Sequence, residues 1–286
     1  MNNRGFTLIE LLVASAGLLV TMAFVAALAM PLRAGFERSL GAADLTGGSR
    51  TVLDRLAAEV HEAGSGASVG AGRLADVLPP VVPSASLDST VWADPGQALR
   101  IVRVPFLAPQ GRLAAGAAAG STTVSLDTTN RCTAVVAGCG LRAGTLALLY
   151  DSTHGEVVNV SAATAADVRF SAPLTSAFAV GSVLAAAAIT TYGLRPAPDG
   201  SFRLVRATGM TEQPMLDDVV DFRVRVVGAD PRHPRQVELS LRVEAPSAAL
   251  RGPPGRFFRR PGTALYPADW VPDVETRTTV SLRGAG

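Results

Sequence analysis

The most apolar part of the chain is its beginning. A short polar head, residues 1–5, carries one charge, Arg4, and an apolar run then extends from Phe6 to Leu32 with Glu10 as its only charged residue. Such a run is long enough to span a membrane, because about 20 helical residues cover the ~30 Å hydrocarbon core of a bilayer. A lone carboxylate there is unfavourable, by about 2.5–3.5 kcal/mol at the helix centre. We therefore interpret Glu10 as a functional residue that needs a positively charged partner.

A partner for Glu10 arises if the chain is cut between Gly5 and Phe6, because Phe6 then gains a positive α-amino group. Glu10 lies four residues further on, within about one helical turn of that charge. A carboxylate in the first turn also suits the positive end of the helix dipole. The amine belongs either to the same chain or to a neighbour packed with a stagger, and in the second case the pair would set the register between subunits.

Beyond Leu32 the pattern remains helical as far as Ala63. The apolar positions that recur at roughly helical spacing are Phe36, Leu40, Val52, Leu56 and Val60. Pro31 is expected to kink the helix without ending it. The pair Gly47-Gly48 predicts an interruption, after which Ser49 or Thr51 would cap a second segment. Gly64 is expected to stop the helix.

The rest of the chain has the pattern of β-structure. Residues 64–98 are rich in Gly, Ser, Ala and Pro and predict a long surface loop with short strands at most. Apolar and polar residues alternate in Val219–Val227 and in Val237–Val243, which is typical of sheets with one buried and one wet face. Other predicted strands lie at 99–104, 122–126, 145–150, 156–160, 168–170, 182–192, 202–206 and 276–282, and residues 111–120 predict a flexible connection or hairpin.

These patterns predict an α+β fold, in which a long N-terminal helix, transmembrane and then amphipathic, packs on a β-rich antiparallel C-terminal head. The expected division is a leader at 1–5, a transmembrane and assembly helix at 6–32, its amphipathic continuation at 33–63 and a globular head at 64–286.

The start of the chain carries a family resemblance. Gly5-Phe6-Thr7-Leu8-Ile9-Glu10 resembles the N-terminal signature of type IV prepilins and type II secretion pseudopilins. This resemblance implies that a prepilin peptidase cleaves after Gly5 and N-methylates Phe6, and that Glu10 guides docking into a helical filament. It also implies partners: other pilin or pseudopilin subunits, the peptidase and an inner-membrane assembly platform. The implied location is the inner membrane, crossed once, with the head in the periplasm and at the cell surface after assembly.

A looser resemblance extends over the head. The segment Arg55–Gly64 is similar to the end of the long helix in PilW-type minor pilins and J-type pseudopilins, and the strands at Gly144–Leu149 and Leu216–Val224 are similar to those of PilW-type minor pilins. The resemblance implies a minor pilin or pseudopilin that acts in filament initiation or at the tip. A DNA-uptake component and a membrane-anchored adhesin or enzyme that uses the same export route remain as alternatives.

An ordinary secretory signal peptide and a plain membrane anchor are the competing interpretations of the N-terminus. The triplet Ala27-Leu28-Ala29 is a small-x-small site of the kind that signal peptidase cuts. Against a signal peptide, Glu10 interrupts the apolar region, and the run is longer than the usual 7–15 residues.

The charge and the cysteine content bear on binding partners and on the cellular compartment. The net charge of +2 gives no strong general attraction to nucleic acid. If the head lies outside the cytoplasm, as the N-terminus implies, Cys132 and Cys139 are expected to form a disulfide that closes a small loop. Neither cysteine has a histidine close by, His154 being the nearest, so no metal site and no cofactor are expected.

Catalytic motifs are missing from the sequence. There is no Gly-x-Ser-x-Gly elbow, phosphate-binding loop or His-Glu-x-x-His pair, so we predict that the protein is not an enzyme. His154 follows Asp151 and Ser152, but a turn of small polar residues explains this cluster better than an active site does.

A Pro/Gly-rich stretch, Pro246–Asp273, interleaves basic and aromatic residues. Its members are Arg251, Arg256, Phe257, Phe258, Arg259, Arg260, Tyr266 and Trp270. Such a stretch can bind single-stranded nucleic acid, DNA in an uptake system included, or anchor a protein interface. We favour the interpretation of a long loop with solvated arginines. A protein interface is the second interpretation, and nucleic-acid binding is the third.

Overall fold

The computed structural model describes residues 8–65, 74–88, 93–105, 107–127, 137–198, 200–209, 211–228, 234–246, 250–251, 271 and 273–282, without the side chains at positions 31, 34, 75 and 76. Its elements, in chain order, are α1 (Leu8–His61), α2 (Leu74–Val77), β1 (Val81–Ser84), β2 (Ala98–Arg103), β3 (Gln110–Arg112), β4 (Thr123–Ser125), a 3₁₀ turn (Ala137–Gly140), β5 (Leu146–Tyr150), β6 (Gly155–Ala163), β7 (Asp167–Phe170), β8 (Val183–Ala186), β9 (Ala188–Pro196), β10 (Phe202–Thr208), β11 (Thr211–Val227), β12 (Gln236–Val243) and β13 (Val274–Ser281).

The first helix runs without a break for 54 residues, so the predicted interruption at Gly47-Gly48 is wrong. Each glycine costs about 1 kcal/mol relative to alanine in a helix. Packing on the C-terminal side of this pair outweighs that cost, because Val52, Leu53, Leu56 and Val60 are buried at helical spacing. A Cβ on Gly48 would lie 3.4 Å from the Leu216 side chain, so the glycine also allows a close approach of β11.

The predicted stop at Gly64 is confirmed. The helix ends at His61, and Gly64 has a φ of 74°, in the left-handed region that glycine adopts without strain. Its N–H donates to the carbonyl of Val102, which ties the end of the helix to β2.

Seven strands form the first sheet, in the order β1-β2-β9-β10-β11-β12-β13. The registers of its described pairs are antiparallel, with Val224 opposite Leu239 and Arg203 opposite Arg195. The predicted strands at 99–104, 202–206, 219–227, 237–243 and 276–282 are confirmed to within about two residues at each end, apart from the earlier start of β11. The predicted long loop at 64–98 contains α2 and β1.

The remaining six strands form a second sheet, in the order β3-β8-β5-β6-β7-β4. A bridge between Leu113 and Leu126, next to the ends of β3 and β4, closes this sheet into a small barrel. We call residues 110–186 the inserted barrel, because β2 and β9, on either side of it in the chain, pair directly through Arg103 and Ala188. The predicted connection at 111–120 begins within β3.

The inserted barrel has a core of its own. Its buried side chains are Leu113, Ala117, Val124, Leu126, Cys139, Leu141, Ala147, Leu149, Val158, Val160, Val168, Phe170, Leu174, Phe178 and Leu184. Burying a Val, Leu or Phe side chain contributes about 1.5–3 kcal/mol. A separate cluster packs α2, through Leu74, against the other side of β5 and β8.

Contacts divide the chain into two compact units. The first comprises residues 1–47 and 244–274, and the second comprises residues 48–243 and 275–286. The first contains the apolar part of α1, and the second contains both sheets and the end of α1. A long N-terminal apolar helix and a β-rich antiparallel C-terminal part make the fold α+β, as predicted.

Candidate functional site

The apolar part of α1 leaves its side chains exposed. Every large apolar side chain identified there, from Leu8 to Phe36, is at least 52% exposed. Soluble proteins rarely expose continuous apolar surface of this extent, which marks contact with lipid or with another protein. Among the described residues, one helix is long and apolar enough to cross a membrane, and it is this one.

The hydroxyl groups of Ser15 and Thr21, inside the apolar run, are satisfied within the helix. The Ser15 hydroxyl donates to the Leu12 carbonyl at 3.0 Å, and the Thr21 hydroxyl donates to the Leu18 carbonyl at 2.8 Å. A bilayer core requires such internal pairing, because it holds no water for polar groups. Both contacts therefore suit a helix in lipid.

Glu10 lies in the first turn of α1 and is exposed. The N–H groups that begin a helix carry partial positive charge, which favours a carboxylate at this position. Gly5 and Phe6 lie outside the described residues, so the pairing of Glu10 with a new amine at Phe6 stays a proposal.

Charge returns to the helix directly after the apolar run. Arg33 donates to the Glu37 carboxylate at 2.9 Å, with side chains 83% and 58% exposed. Such an exposed i,i+4 pair stabilises a helix by only about 0.3–0.5 kcal/mol. The pair marks the end of the apolar run, because it places two charged side chains just beyond Leu32.

These features fit a protein that its N-terminal helix anchors in a membrane and that carries a β-rich C-terminal part. A secretory signal would have the same length and apolar composition. The motif at the start of the helix therefore has to distinguish a membrane anchor from a secretory signal. Residues 1–26 match the family described as the prokaryotic N-terminal methylation motif. That match, together with the long apolar helix, fits a type IV pilin-like protein. No curated protein matches the chain.

The cluster around His154 is a turn between β5 and β6. The Asp151 carboxylate accepts hydrogen bonds from the N–H groups of Thr153 and His154 at 2.7 and 3.0 Å. Partial burial raises the pKa of Asp151, but these bonds and the Thr153 hydroxyl outweigh it and hold the pKa below its usual range. His154 stacks on Phe178 and contacts the Ala177 carbonyl at 2.9 Å. The Asp151 contacts fix the turn itself, and the His154 contacts fasten it to Ala177 and Phe178 of the barrel.

Arg251 is the one member of the basic and aromatic stretch that the structure describes. Its guanidinium contacts the Glu244 carboxylate at 3.2 Å and donates to the carbonyls of Ala245 and Pro246. These contacts fix the local backbone of the first unit. The other members, at 256–260, 266 and 270, lie outside the described residues.

Cys139 is fully buried in the barrel core. Its Sγ lies 2.9 Å from where a Cβ would stand on Gly111, so β3 passes close over it. Cys132 lies outside the described residues, and the disulfide between the two stays a proposal. Among the described side chains, no group of three or more His, Cys, Asp or Glu is placed to hold a metal ion.

A Cys132→Ser chain is expected to unfold more easily than the wild type under oxidising conditions, by roughly 2 kcal/mol, because the short loop would no longer be closed. Urea unfolding with and without a thiol reductant measures this difference. The reductant should weaken the wild type by a similar amount and leave the variant unchanged. A wild type whose unfolding ignores the reductant would show that the disulfide does not form.

A buried polar cluster that the sequence did not predict lies between the helix and the first sheet. Glu59, near the end of α1, accepts a hydrogen bond from Arg206 at 3.2 Å, and Arg206 also donates to the Tyr192 hydroxyl at 3.2 Å. Tyr192 is fully buried, and the Glu59 and Arg206 side chains are 13% and 19% exposed. No sequence signal could have paired residues so far apart in the chain.

Alkaline pH is expected to destabilise the head through Tyr192. Burial, with the nearby Glu59 charge, raises the pKa of Tyr192 from 10.0 to about 12. The folded state then keeps a proton that the unfolded state has lost, so stability falls as pH rises from about 10 to 12, by at most roughly 3 kcal/mol. Urea unfolding at pH 8 and pH 11 measures this loss. Tyr192→Phe, which has no phenol to ionise, should lose less, and an equal loss in both chains would contradict this assignment.

Proposed function

We propose that the chain is a minor pilin or pseudopilin, a structural subunit of a type IV pilus or of a type II secretion-like filament. It acts in filament initiation or at the tip. The observation that carries the proposal is the methylation motif at residues 1–26, at the start of a helix whose apolar side chains are exposed. Lipid covers those side chains before assembly, and the helices of neighbouring subunits cover them afterwards.

Processing prepares the helix for assembly. A prepilin peptidase cuts between Gly5 and Phe6 and methylates the new amine of Phe6. Glu10 then neutralises the amine of a neighbouring subunit, and the assembly platform of the inner membrane adds the subunit to the filament. Before assembly the head lies in the periplasm, where an oxidising environment allows the Cys132–Cys139 disulfide to form.

The inserted barrel supports a minor role. The first sheet is complete without it, because β2 and β9 pair directly beneath it. A subunit repeated along a whole filament gains nothing from such extra bulk, whereas a subunit at the tip or in an initiation complex can present it to partners. The sequence carries none of the three catalytic motifs named above, and the proposed role is structural.

Mass spectrometry of the intact protein from its native membrane tests the proposal. A chain that begins at N-methylated Phe6 is the expected result. A chain that begins at Met30 would mean that signal peptidase removed the helix, and the assembly role would fall. A chain that still begins at Met1 would leave a plain membrane anchor.

A further inference from the structure

A small cavity opens on the first sheet, within the second unit. Its volume is about 250 Å³, and its lining consists of Arg195, Pro196, Ala197, Pro198, Arg203, Val205, Glu212 and Pro214. The residues come from β9, β10 and β11 and from the turn that joins the first two. Val205, 5% exposed, and three proline rings provide apolar surface, while Arg195, Arg203 and Glu212 provide charge.

The two guanidinium groups of the cavity are held in place. Arg195 donates to both Asp88 oxygens through its two Nη atoms, and to Glu212 through Nε at 3.2 Å and Nη2 at 2.6 Å. Arg203 donates through Nε to the Asp217 carboxylate. Arg195, fixed at three nitrogen atoms, presents its flat face in one orientation, and the proline rings around it are equally rigid, whereas Arg203 is held at one atom. The cavity is therefore pre-formed, which lowers the entropy cost of binding.

The charges of the cavity are already balanced locally. The hydrogen bond from Arg195 lowers the pKa of both Asp88 and Glu212, and these carboxylates in turn raise the pKa of Arg195, so all three stay charged. A free ion would have to compete with these contacts. Because the three nitrogens of Arg195 all donate to carboxylates in the plane of the group, what Arg195 can still offer is its flat face, which is complementary in charge to the negative face of an aromatic ring.

We propose that this cavity receives one aromatic side chain from a neighbouring protein. Its volume is below the ~300–1,000 Å³ of ordinary small-molecule sites, which argues against a cofactor or metabolite. Rigid apolar walls and the positioned guanidinium face of Arg195, with Arg203 opposite it on β10, fit a Trp, Tyr or Phe ring. Aromatic residues seated in such pockets contribute most of the binding energy of many protein interfaces. The identity of the neighbour as another filament subunit rests on the proposed function. The preference of the cavity for an aromatic ring does not depend on that function.

Saturation-transfer NMR on the full chain in detergent micelles tests the preference. The probe is N-acetyl-L-tryptophanamide, with the corresponding leucine, arginine and glutamate amides as comparisons. Tryptophanamide is expected to bind saturably, with a dissociation constant of about 1–10 mM, and at least about fivefold more tightly than the other three. Equal binding of leucinamide would reduce the cavity to an apolar patch. Tighter binding of argininamide or glutamate amide would make it a charged site. Either result overturns the proposal.

Two variants locate the binding. Ala197→Trp, at the rim, should fill the cavity and weaken probe binding at least about fivefold, whereas Ala162→Trp, at an exposed position on β6, should leave it unchanged. Arg203→Gln should weaken tryptophanamide several-fold and leave leucinamide unaffected, because only the aromatic ring uses the guanidinium face. Probe binding that survives both Ala197→Trp and Arg203→Gln lies elsewhere and would contradict the assignment. The assay does not depend on filaments, so its outcome is separate from that of the N-terminal analysis.

Discussion

A Glu10→Gln chain is expected to enter the membrane and to lose its leader as the wild type does, but to reach filaments at about a tenth of the wild-type level or less. Glutamine keeps the size and polarity of the side chain and removes its charge. The amine of Phe6 would then lie among apolar helices without a counter-charge, and removing one partner of a buried pair costs about 3–5 kcal/mol. A loss of only about 1.4 kcal/mol already reduces an equilibrium tenfold.

The measurement is the amount of the chain in sheared filaments relative to membranes, together with the mass of the membrane form. Glu37→Gln is the matched control, because it makes the same change on the same helix, beyond the apolar run and at an exposed ion pair with Arg33. The control should assemble at close to the wild-type level. Normal assembly of Glu10→Gln would remove the pairing argument, and loss of cleavage would place the role of Glu10 in processing instead.

Secondary structure and site residues could be predicted most accurately from the sequence where one physical requirement dominates a segment. A continuous apolar run of this length predicts a helix that can span a membrane, and Val219–Val227 of β11 and the whole of β12 show one buried and one wet face because their alternation matches the pleat. Glu10 could be singled out because a charge is so costly in such a run. Gly5 and Phe6 were recognised through their resemblance to a family, which periodicity alone does not provide.

Other features depend on contacts between distant parts of the chain. The helix continues through Gly47-Gly48 because the residues after the pair are buried against the head, and local propensity cannot register that packing. Closure of the inserted barrel needs Leu113 to meet Leu126, and its placement needs β2 to pair with β9, across more than 80 residues. The cavity beside Arg195 depends in the same way on three strands and the loop at Asp88.

Gly96→Ala is expected to destabilise the head by about 3 kcal/mol, because Gly96 is buried where the backbone leaves no room for a side chain. A Cβ on Gly96 would lie 2.8 Å from both the N and the O of Ser84 and 2.9 Å from the Pro83 Cβ. Gly96 also exchanges two backbone hydrogen bonds with Val224, at 2.8 and 2.9 Å. Relief of the clash by moving the backbone would therefore break the link between the end of β1 and β11.

Thermal unfolding of the head, followed by circular dichroism in the β-sheet region, measures this effect as a fall in Tm of roughly 6–12 °C. Gly35→Ala is the matched control, because it makes the same change in α1, where a Cβ would have nothing within 4 Å. That control should leave the unfolding of the head unchanged, since alanine only favours the helix at position 35. If Gly96→Ala unfolded at the wild-type temperature, the loop before β2 could move away from Ser84 without loss, and Gly96 would not be what holds β1 against β11.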